Sequence, residues 1–537
     1  MNNSNSHFSK LPSVSIQRSI MDRNSSHKTT FNAGKLIPVY VDEVLPGDTV
    51  TMDVSSLCRM STPVFPVMDD AYLDFHFFFV PSRILWDNWE RFNGASDDEW
   101  AQEVEYKIPT ITVPSPTVGG IFDHFGLPVG KSITVNSLPF RAYYMIWNEW
   151  FRDQNVMDSY LINKGNSNNL LDFNGFELAP VSKYHDYFTS ALPSPQKGAA
   201  VSLPLGGMAP VYTSSEQTVS DGVVVPIYFR GTDNIPTSSV IGLNREGYVS
   251  STAQSFVGSP DSQIIPESVS VEPSNLWADM TQVTGATINA LRQAFAVQRL
   301  LEKDARGGTR YRELVKAHFG VLTGDARVQV PEYLGGRHIP IQVNQVVQMS
   351  ATDDVSPQGN TAAFSKTTDY GSLFTKSFTE HGYLIGLASV RTTHTYQQGI
   401  NKLWSRQGRF DFYWPELAFI GEQPILNKEI YAQGTIQDNE VFGYQEAWAE
   451  YRYKPSTVSG SFRSGVNGSL DAWHYGDYYD SMPALSKGWL VETDANIDRT
   501  LAVSSELSDQ FLLDCYFKAR WARPMPVYSI PDMRGYF

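Results

Sequence analysis

The stretch FLLDCYFKARW, residues 511–521, decides the fold class. Phe511, Leu513, Cys515, Phe517, Ala519 and Trp521 fall on one side of an extended chain, and Asp514, Tyr516, Lys518 and Arg520 on the other. Successive side chains of a strand point to opposite faces, so this period of two predicts a strand with one buried and one polar face, closed by Pro524. The alternation returns in Leu73, Phe75, Phe77 and Phe79, with Asp74 and His76 opposite. It returns again over 444–453, where Tyr444, Glu446, Trp448, Glu450 and Arg452 oppose Gln445, Ala447, Ala449, Tyr451 and Tyr453. Residues 383–390 (YLIGLASV) are apolar on both faces, as a central strand is. These segments lie far apart in the chain, so their pairing is long-range, in the manner of a Greek key. The chain is predicted to be all-β.

Helices are few. Ile288, Leu291, Ala294, Phe295, Val297 and Leu301 make an apolar stripe at helical spacing over 287–306, with Thr287 as N-cap and Gly307-Gly308 as the stop. A shorter helix is predicted over 311–319, ending at Gly320. Arg299, Lys303, Arg306, Arg310 and Arg312 give this region a basic face, read either as a solvated surface or as a phosphate or subunit contact. Between 160 and 270 Ser, Gly, Asn and Thr dominate, which predicts an insertion of short strands and loops carried outward by the core.

The chain has 537 residues with 42 basic and 57 acidic side chains, a net charge of −15. Charged residues make up only 18 %, below the usual share of about 25 %, and apolar residues 42 %, which excludes disorder for most of the chain. Charge is segregated. Residues 1–30 carry Lys10, Arg18, Arg23 and Lys28 against Asp22, and residues 515–537 carry Lys518, Arg520, Arg523 and Arg534 against Asp532. Each end is therefore +3, which leaves −21 between them on a chain of −15. Residues 1–30 read as a basic arm, ordered where it lies on something. Cys58 and Cys515 are too few for a disulfide framework and read as two packed, reduced thiols. With no apolar run near the roughly 18 residues of a membrane span, the expectation is a soluble product of a reducing cytosol.

Catalytic patterns fail on inspection. GLPVGKS (126–132) has three residues between its glycines where a phosphate-binding loop needs four, and Pro128 removes an amide. Neither an HExxH pair nor a G-x-S-x-G elbow occurs, and no histidine sits with both cysteines at zinc-ligand spacing, so no metal or cofactor is expected. Glu416, Glu422 and Glu429 lie amid Tyr413, Trp414 and Tyr431, the mixture a glycosidase uses. A carbohydrate-binding or carbohydrate-cleaving β-sandwich is thus the alternative reading. Phosphate affinity comes from Lys and Arg displacing counterions, so an acidic body confines nucleic-acid contact to the basic ends.

Several blocks carry more than composition can. KTTFNAGKLIPVYVDEVLPGDT (28–49), HFFFVPSRILWDNWERFNG (76–94) and LRQAFAVQRLLEKDARGGTRYRELVKAHFGV (291–321) come first. FDFYWPELAFIGEQPILNKEIYAQG (410–434), FGYQEAWAEYRYKPS (442–456), LDAWHYGDYYDSMPALS (470–486) and RPMPVYSIP (523–531) follow in order. Together they resemble the major capsid proteins of the Microviridae, in particular the gokushovirus branch. Residues 160–270 and the end, 532–537, lie outside the resemblance.

The resemblance implies a non-enzymatic structural protein with an eight-stranded antiparallel jelly roll, long loop insertions and a few short helices. Residues 31–537 would form one such domain, interrupted by the variable surface insertion 160–270 and a helical insertion 287–320. It implies a T=1 icosahedral shell of identical chains around the circular single-stranded DNA of a bacteriophage. It also implies a small basic DNA-binding viral protein as partner, a host-cell surface receptor met by the insertion, and no membrane insertion. The chain would reside in the virion, after assembly in the bacterial cytoplasm. Charge segregation makes Arg18, Arg23, Lys28, Lys518, Arg520 and Arg523 the candidates for facing nucleic acid. Interfaces favour aromatics and arginine, which makes Trp86, Trp89, Arg91, His474, Tyr475, Tyr478 and Tyr479 the candidates for subunit contact.

Overall fold

The computed structural model describes residues 17–95, 106–166, 176–199, 201, 211–213, 227–231, 240–241, 271–273, 276–278, 288–308, 310–321, 329–350, 352 and 357–528. Nine strands build its centre: β1 (Ser19–Asp22), β2 (Ser25–Phe31), β3 (Ile37–Val44), β4 (Thr49–Met60), β5 (Ala71–Pro81), β6 (Glu332–Pro340), β7 (Thr367–Ser377), β8 (Gly382–Thr392) and β9 (Phe511–Arg523). β1 and β2 share one edge of β9, and the first sheet continues β9-β4-β7. The second sheet runs β6-β5-β8-β3. All these pairings are antiparallel and most join distant segments, as Phe511↔Met60 and Thr367↔Cys58 illustrate.

The sheets face each other through the residues whose alternation the sequence displays. Phe517 of β9 packs against Tyr40 of β3 and Phe77 of β5, with ring centroids 5.1 and 6.0 Å apart. Val50, Met52 and Val54 of β4 enter the same core as Leu73, Phe75 and Leu384. Each large side chain buried in this way contributes about 1.5–3 kcal/mol of transfer free energy. Cys58 and Cys515 sit in this core as free, buried thiols.

The far side of the second sheet is not open to water. Phe78, Val80, Tyr383, Ile385 and Leu387 pack into a second core with Trp86, Ile111 and the helix α1 (Leu138–Ile146). This explains why β8 is apolar on both faces. It also corrects the expectation for β5, whose Asp74 is buried rather than solvated.

Other expectations meet the structure unevenly. The strand predicted over 444–453 ends at Glu446; Trp448 takes a left-handed backbone (φ 64°), its indole N–H donates to the Leu417 carbonyl at 2.8 Å, and Ala449–Arg452 form a helical turn. The long helix spans Ile288–Gly307 with no buried side chain, and the short one spans Tyr311–Phe319, ending on Gly320 at φ 72°. Thr287 lies outside the described residues. The basic residues nearby are engaged within the chain: Arg306 donates to Glu422 at 3.1 Å, Arg310 pairs with Glu149 at 3.4 Å, and Arg312 lies over Trp150 at 4.4 Å.

The chain divides into two compact units, Met1–Lys197 with Glu302–Phe537, and Gly198–Leu301. The two sheets belong to the first. Phe176, Ala179, Val181 and Phe188, from the span read as an outward insertion, are buried there. In the second, Val211–Thr213 pairs with Leu276–Ala278, and Ile227–Gly231 pairs with Val240–Ile241 and with Val271–Pro273. Among the described residues no helix is long and apolar enough to cross a membrane.

Candidate functional site

The outer face of the first sheet gathers the two basic ends of the chain. Residues opposite one another on antiparallel strands share a face, so the register fixes the neighbours. Asp22↔Arg520↔Thr51, Ser26↔Tyr516↔Ser55 and Lys28↔Asp514↔Leu57 form rows across β1 or β2, β9 and β4, and Lys518↔Asp53 forms another across β9 and β4. β7 extends all four rows with Thr51↔Thr375, Asp53↔Ser372, Ser55↔Tyr370 and Leu57↔Thr368. Arg18 joins them from the chain end, its guanidinium donating to the Thr49 hydroxyl at 3.2 Å. Lys28 pairs with Asp514 at 3.3 Å, the lysine largely and the carboxylate partly exposed, which makes the pair worth little in stability.

Four of the six proposed nucleic-acid-facing cations, Arg18, Lys28, Lys518 and Arg520, therefore occupy one exposed face. The other two are withdrawn from it. Arg23 reaches Asp42 at 3.0 Å and lies over the buried Trp521 ring at 5.2 Å. Arg523, on the inward side of β9, reaches the fully buried Asp48 at 3.1 Å and covers Trp521 at 4.3 Å. They clamp the sheet edge. Arg59, which the sequence reading passed over, belongs to the face; its signal was the outward alternation Thr51, Asp53, Ser55, Leu57, Arg59 in β4. Tyr516 and Tyr370 stand exposed among serine and threonine hydroxyls such as the Thr375–Thr51 pair at 3.1 Å. The face carries Arg18, Lys28, Arg59, Lys518 and Arg520 against Asp22, Asp53 and Asp514, a small positive excess on an acidic chain.

The proposed subunit-contact residues separate into three groups. Trp86, His474 and Tyr475 are buried inside the protomer and offer no side-chain surface to a neighbour. The Trp86 indole donates to Asn166 at 2.6 Å, and His474 Nε2 meets the Phe462 carbonyl at 2.6 Å. Trp89 and Tyr479 are half-buried, while Arg91 and Tyr478 are exposed. The buried side of the 474–480 stretch forms the wall of an ionic cluster. His394 Nδ1 lies 3.1 Å from Asp477, His394 Nε2 lies 2.9 Å from Glu492, and Lys183 Nζ lies 3.3 Å from Asp477.

The three carboxylates weighed for sugar chemistry have three different surroundings. Glu422 holds Arg306, and Glu416 is exposed on a short turn. Glu429 accepts from the Leu426 amide and the Tyr187 hydroxyl, both at 3.0 Å, while burial pushes its carboxyl up. Glu429 lines two cavities, of about 50 and about 280 Å³, both below the ~300 Å³ at which ligand pockets begin. Among the described residues no cluster of His, Cys, Asp or Glu is arranged to hold a metal ion.

A family described as "Capsid protein (F protein)" matches residues 9–533. Capsid protein VP1 of Bdellovibrio phage phiMH2K is 44 % identical over 539 residues, covering 99 % of this chain and 98 % of the relative. Capsid protein VP1 of Chlamydia phage 1 is 41 % identical over 590 residues, covering 98 % and 97 % respectively. Capsid protein VP1 of Spiroplasma virus 4 is 43 % identical over 534 residues, covering 95 % and 94 %. Matched in this way nearly from end to end, and built as two packed sheets, the chain belongs to the phage capsid protein (F protein) family.

Proposed function

We propose that the chain is the repeating tile of a T=1 icosahedral shell around a circular single-stranded DNA genome, with no catalytic role. The observation that carries this reading is the full-length similarity to phage capsid proteins. The two facing sheets, with β1 and β2 sharing one edge position, supply four strand positions each, which fits the path of an eight-stranded jelly roll. Identical tiles close a shell when their contacts repeat under rotation, so stability comes from many modest contacts.

In this reading the outer face of the first sheet turns toward the genome. Its lysines and arginines displace counterions from phosphates, and Tyr516 and Tyr370 offer rings on which bases stack. The interspersed carboxylates keep the attraction weak, salt-sensitive and indifferent to sequence. A small basic viral protein supplies the remaining counter-charge, because a chain of −15 repels a polyanion overall. The part of the span 160–270 that lies beyond Lys197 then meets the host surface.

Electron microscopy of the purified chain tests the tile: closed shells support it, and persistent monomers reject it. Single-stranded DNA binding at varied salt tests the face. The double substitution Lys518→Ala with Arg520→Ala lowers the slope of log affinity against log salt by about 1.4, at ~0.7 per cation. An unchanged slope places the genome elsewhere.

A further inference from the structure

Residues 402–420 form a strap of three short 3₁₀ turns, Lys402–Ser405, Arg409–Asp411 and Pro415–Leu417, none of whose residues is buried. Such a segment is expected to be polar. Instead Phe419 is 98 % exposed, Trp404 78 % and Phe410 73 %, and Phe412, Tyr413 and Ile420 are each about half exposed. At 150–250 Å² per aromatic side chain, these six present roughly 800 Å² of apolar surface. The largest patch on a soluble monomer is ordinarily about 300–600 Å². One side of a standard protein interface buries about 800 Å².

The strap is held in shape by the body beneath it. Arg406 pairs with Glu450 at 2.9 Å, both side chains nearly buried, and lies over Tyr451 at 4.3 Å. Tyr413 packs edge-on to Trp448 at 5.8 Å, and Trp448 holds the Leu417 carbonyl. The Trp414 indole N–H donates to the Arg409 carbonyl at 3.1 Å. These anchors use one set of groups and leave Trp404, Phe410 and Phe419 pointing away. The conformational entropy of ordering the strap is met on folding, so little of it is charged against docking.

We propose that the strap is a contact surface for a second copy of this chain. The proposal rests on the capsid reading and specifies one of the surfaces through which tiles join. Its area matches one side of a stable interface, and its charge fits a second copy. Over 402–420 Lys402 and Arg409 stand against Asp411 and Glu416, with Arg406 already paired to Glu450, so the strap is close to neutral and escapes the repulsion that a second copy of a −15 chain meets elsewhere.

The test uses the full chain carrying Phe419→Cys. Cys58 and Cys515 are buried, so a thiol reagent reads the introduced site. Labelling is expected to slow at least ten-fold on going from free subunits to shells. The double substitution Trp404→Ser with Phe419→Ser is expected to keep the melting transition of the free subunit while raising the concentration needed for half-assembly about a hundred-fold, ten-fold per anchor. Shells in which position 419 labels as fast as in free subunits overturn the proposal and leave the capsid reading standing. So does a double variant that assembles normally but fails to adsorb to host cells, which assigns the strap to a host partner. If the native chain forms no oligomer under any condition, both readings fall.

Discussion

Replacing His394 by glutamine examines the most heavily buried charge cluster of the protein. Both ring nitrogens face carboxylates, Nδ1 at 3.1 Å from Asp477 and Nε2 at 2.9 Å from Glu492, and all three side chains are almost fully buried. A neutral imidazole has one N–H to donate, so this geometry requires the imidazolium. Burial alone pulls the His394 pKa down, but the hydrogen bonds and charges of Asp477 and Glu492 prevail and push it up to about 9, from an ordinary value of 6.5. A group whose pKa is higher in the folded state stabilises fully below its unfolded value and loses that contribution as pH rises through the folded one. At 1.36 kcal/mol per unit, about 3 kcal/mol is therefore present below about pH 6.5 and is lost on the way to about pH 9. Asp477 behaves oppositely. Burial raises its carboxyl, yet His394 and Lys183 hold it well below the usual carboxylate range, so its contribution is present above the unfolded value of 3.8 and lost as the solution becomes strongly acidic. Together the pair gives a stability plateau at mildly acidic pH.

His394→Gln removes the cation between two buried carboxylates, leaving Asp477 to Lys183, Asn496 and Tyr479 and Glu492 to the Thr392 hydroxyl. Removing one partner of a buried ionic cluster costs about 3–5 kcal/mol. Urea unfolding of the free subunit, followed by tryptophan fluorescence near pH 6 and near pH 9, measures both quantities. The native chain is expected to lose about 3 kcal/mol between the two conditions. The variant is expected to begin about 3–5 kcal/mol lower and to show a flatter profile. A variant within about 1 kcal/mol of native, or one keeping the native pH dependence, would refute the assignment of a charged, load-sharing imidazole.

Two further outcomes follow from the core. Burial pushes the Cys58 thiol up to about 12, and raises Cys515 as well, so neither forms a thiolate at neutral pH; both should resist an aromatic disulfide reagent until the chain unfolds, and rapid labelling of the native subunit would contradict the sheet packing. Gly34 has φ +75°, and a Cβ there would lie 2.1 Å from the Glu492 carbonyl oxygen, so Gly34→Ala should cost about 2–3 kcal/mol in the same urea assay, whereas a neutral effect would mean that the Gly34–Glu492 approach is looser than described.

What the sequence disclosed about the fold follows from which interactions are periodic. In β9 one face meets the opposing sheet and the other meets solvent, so its burial alternates along the strand as its composition does. In β5 the same arithmetic located Phe75 and Phe77 correctly but misread Asp74, because a second layer covers the other face. Asp74 is neutralised there by Arg391 and accepts hydrogen bonds from His338 and Tyr184. Those partners lie more than a hundred residues away in sequence, so no local window contains them. The segment 444–453 alternates as a strand should, yet Trp448 turns left-handed because its indole is held by Leu417 from the strap. A distant contact overrides local period.

The same distinction governs the sites. Charge segregation pointed to both chain ends, and pairing of β1 and β2 with β9 brings those ends onto one sheet. Composition could not say which cations serve the exposed face and which hold the edge, because that depends on strand parity. Ser19↔Arg523 and Asp22↔Arg520 lie on opposite faces of the same pairing, which turns Arg523 inward to Asp48 and leaves Arg520 outward. Enrichment in tyrosine, tryptophan and histidine likewise marked 474–480 as a contact, although that stretch walls the His394 cluster, while the exposed rings of 402–420 were read as a sugar platform at Tyr413 and Trp414. Aromatic content measures how much apolar surface a segment has to place. Where it is placed depends on what packs over it, and for Trp404, Phe410 and Phe419 nothing in the described protomer does.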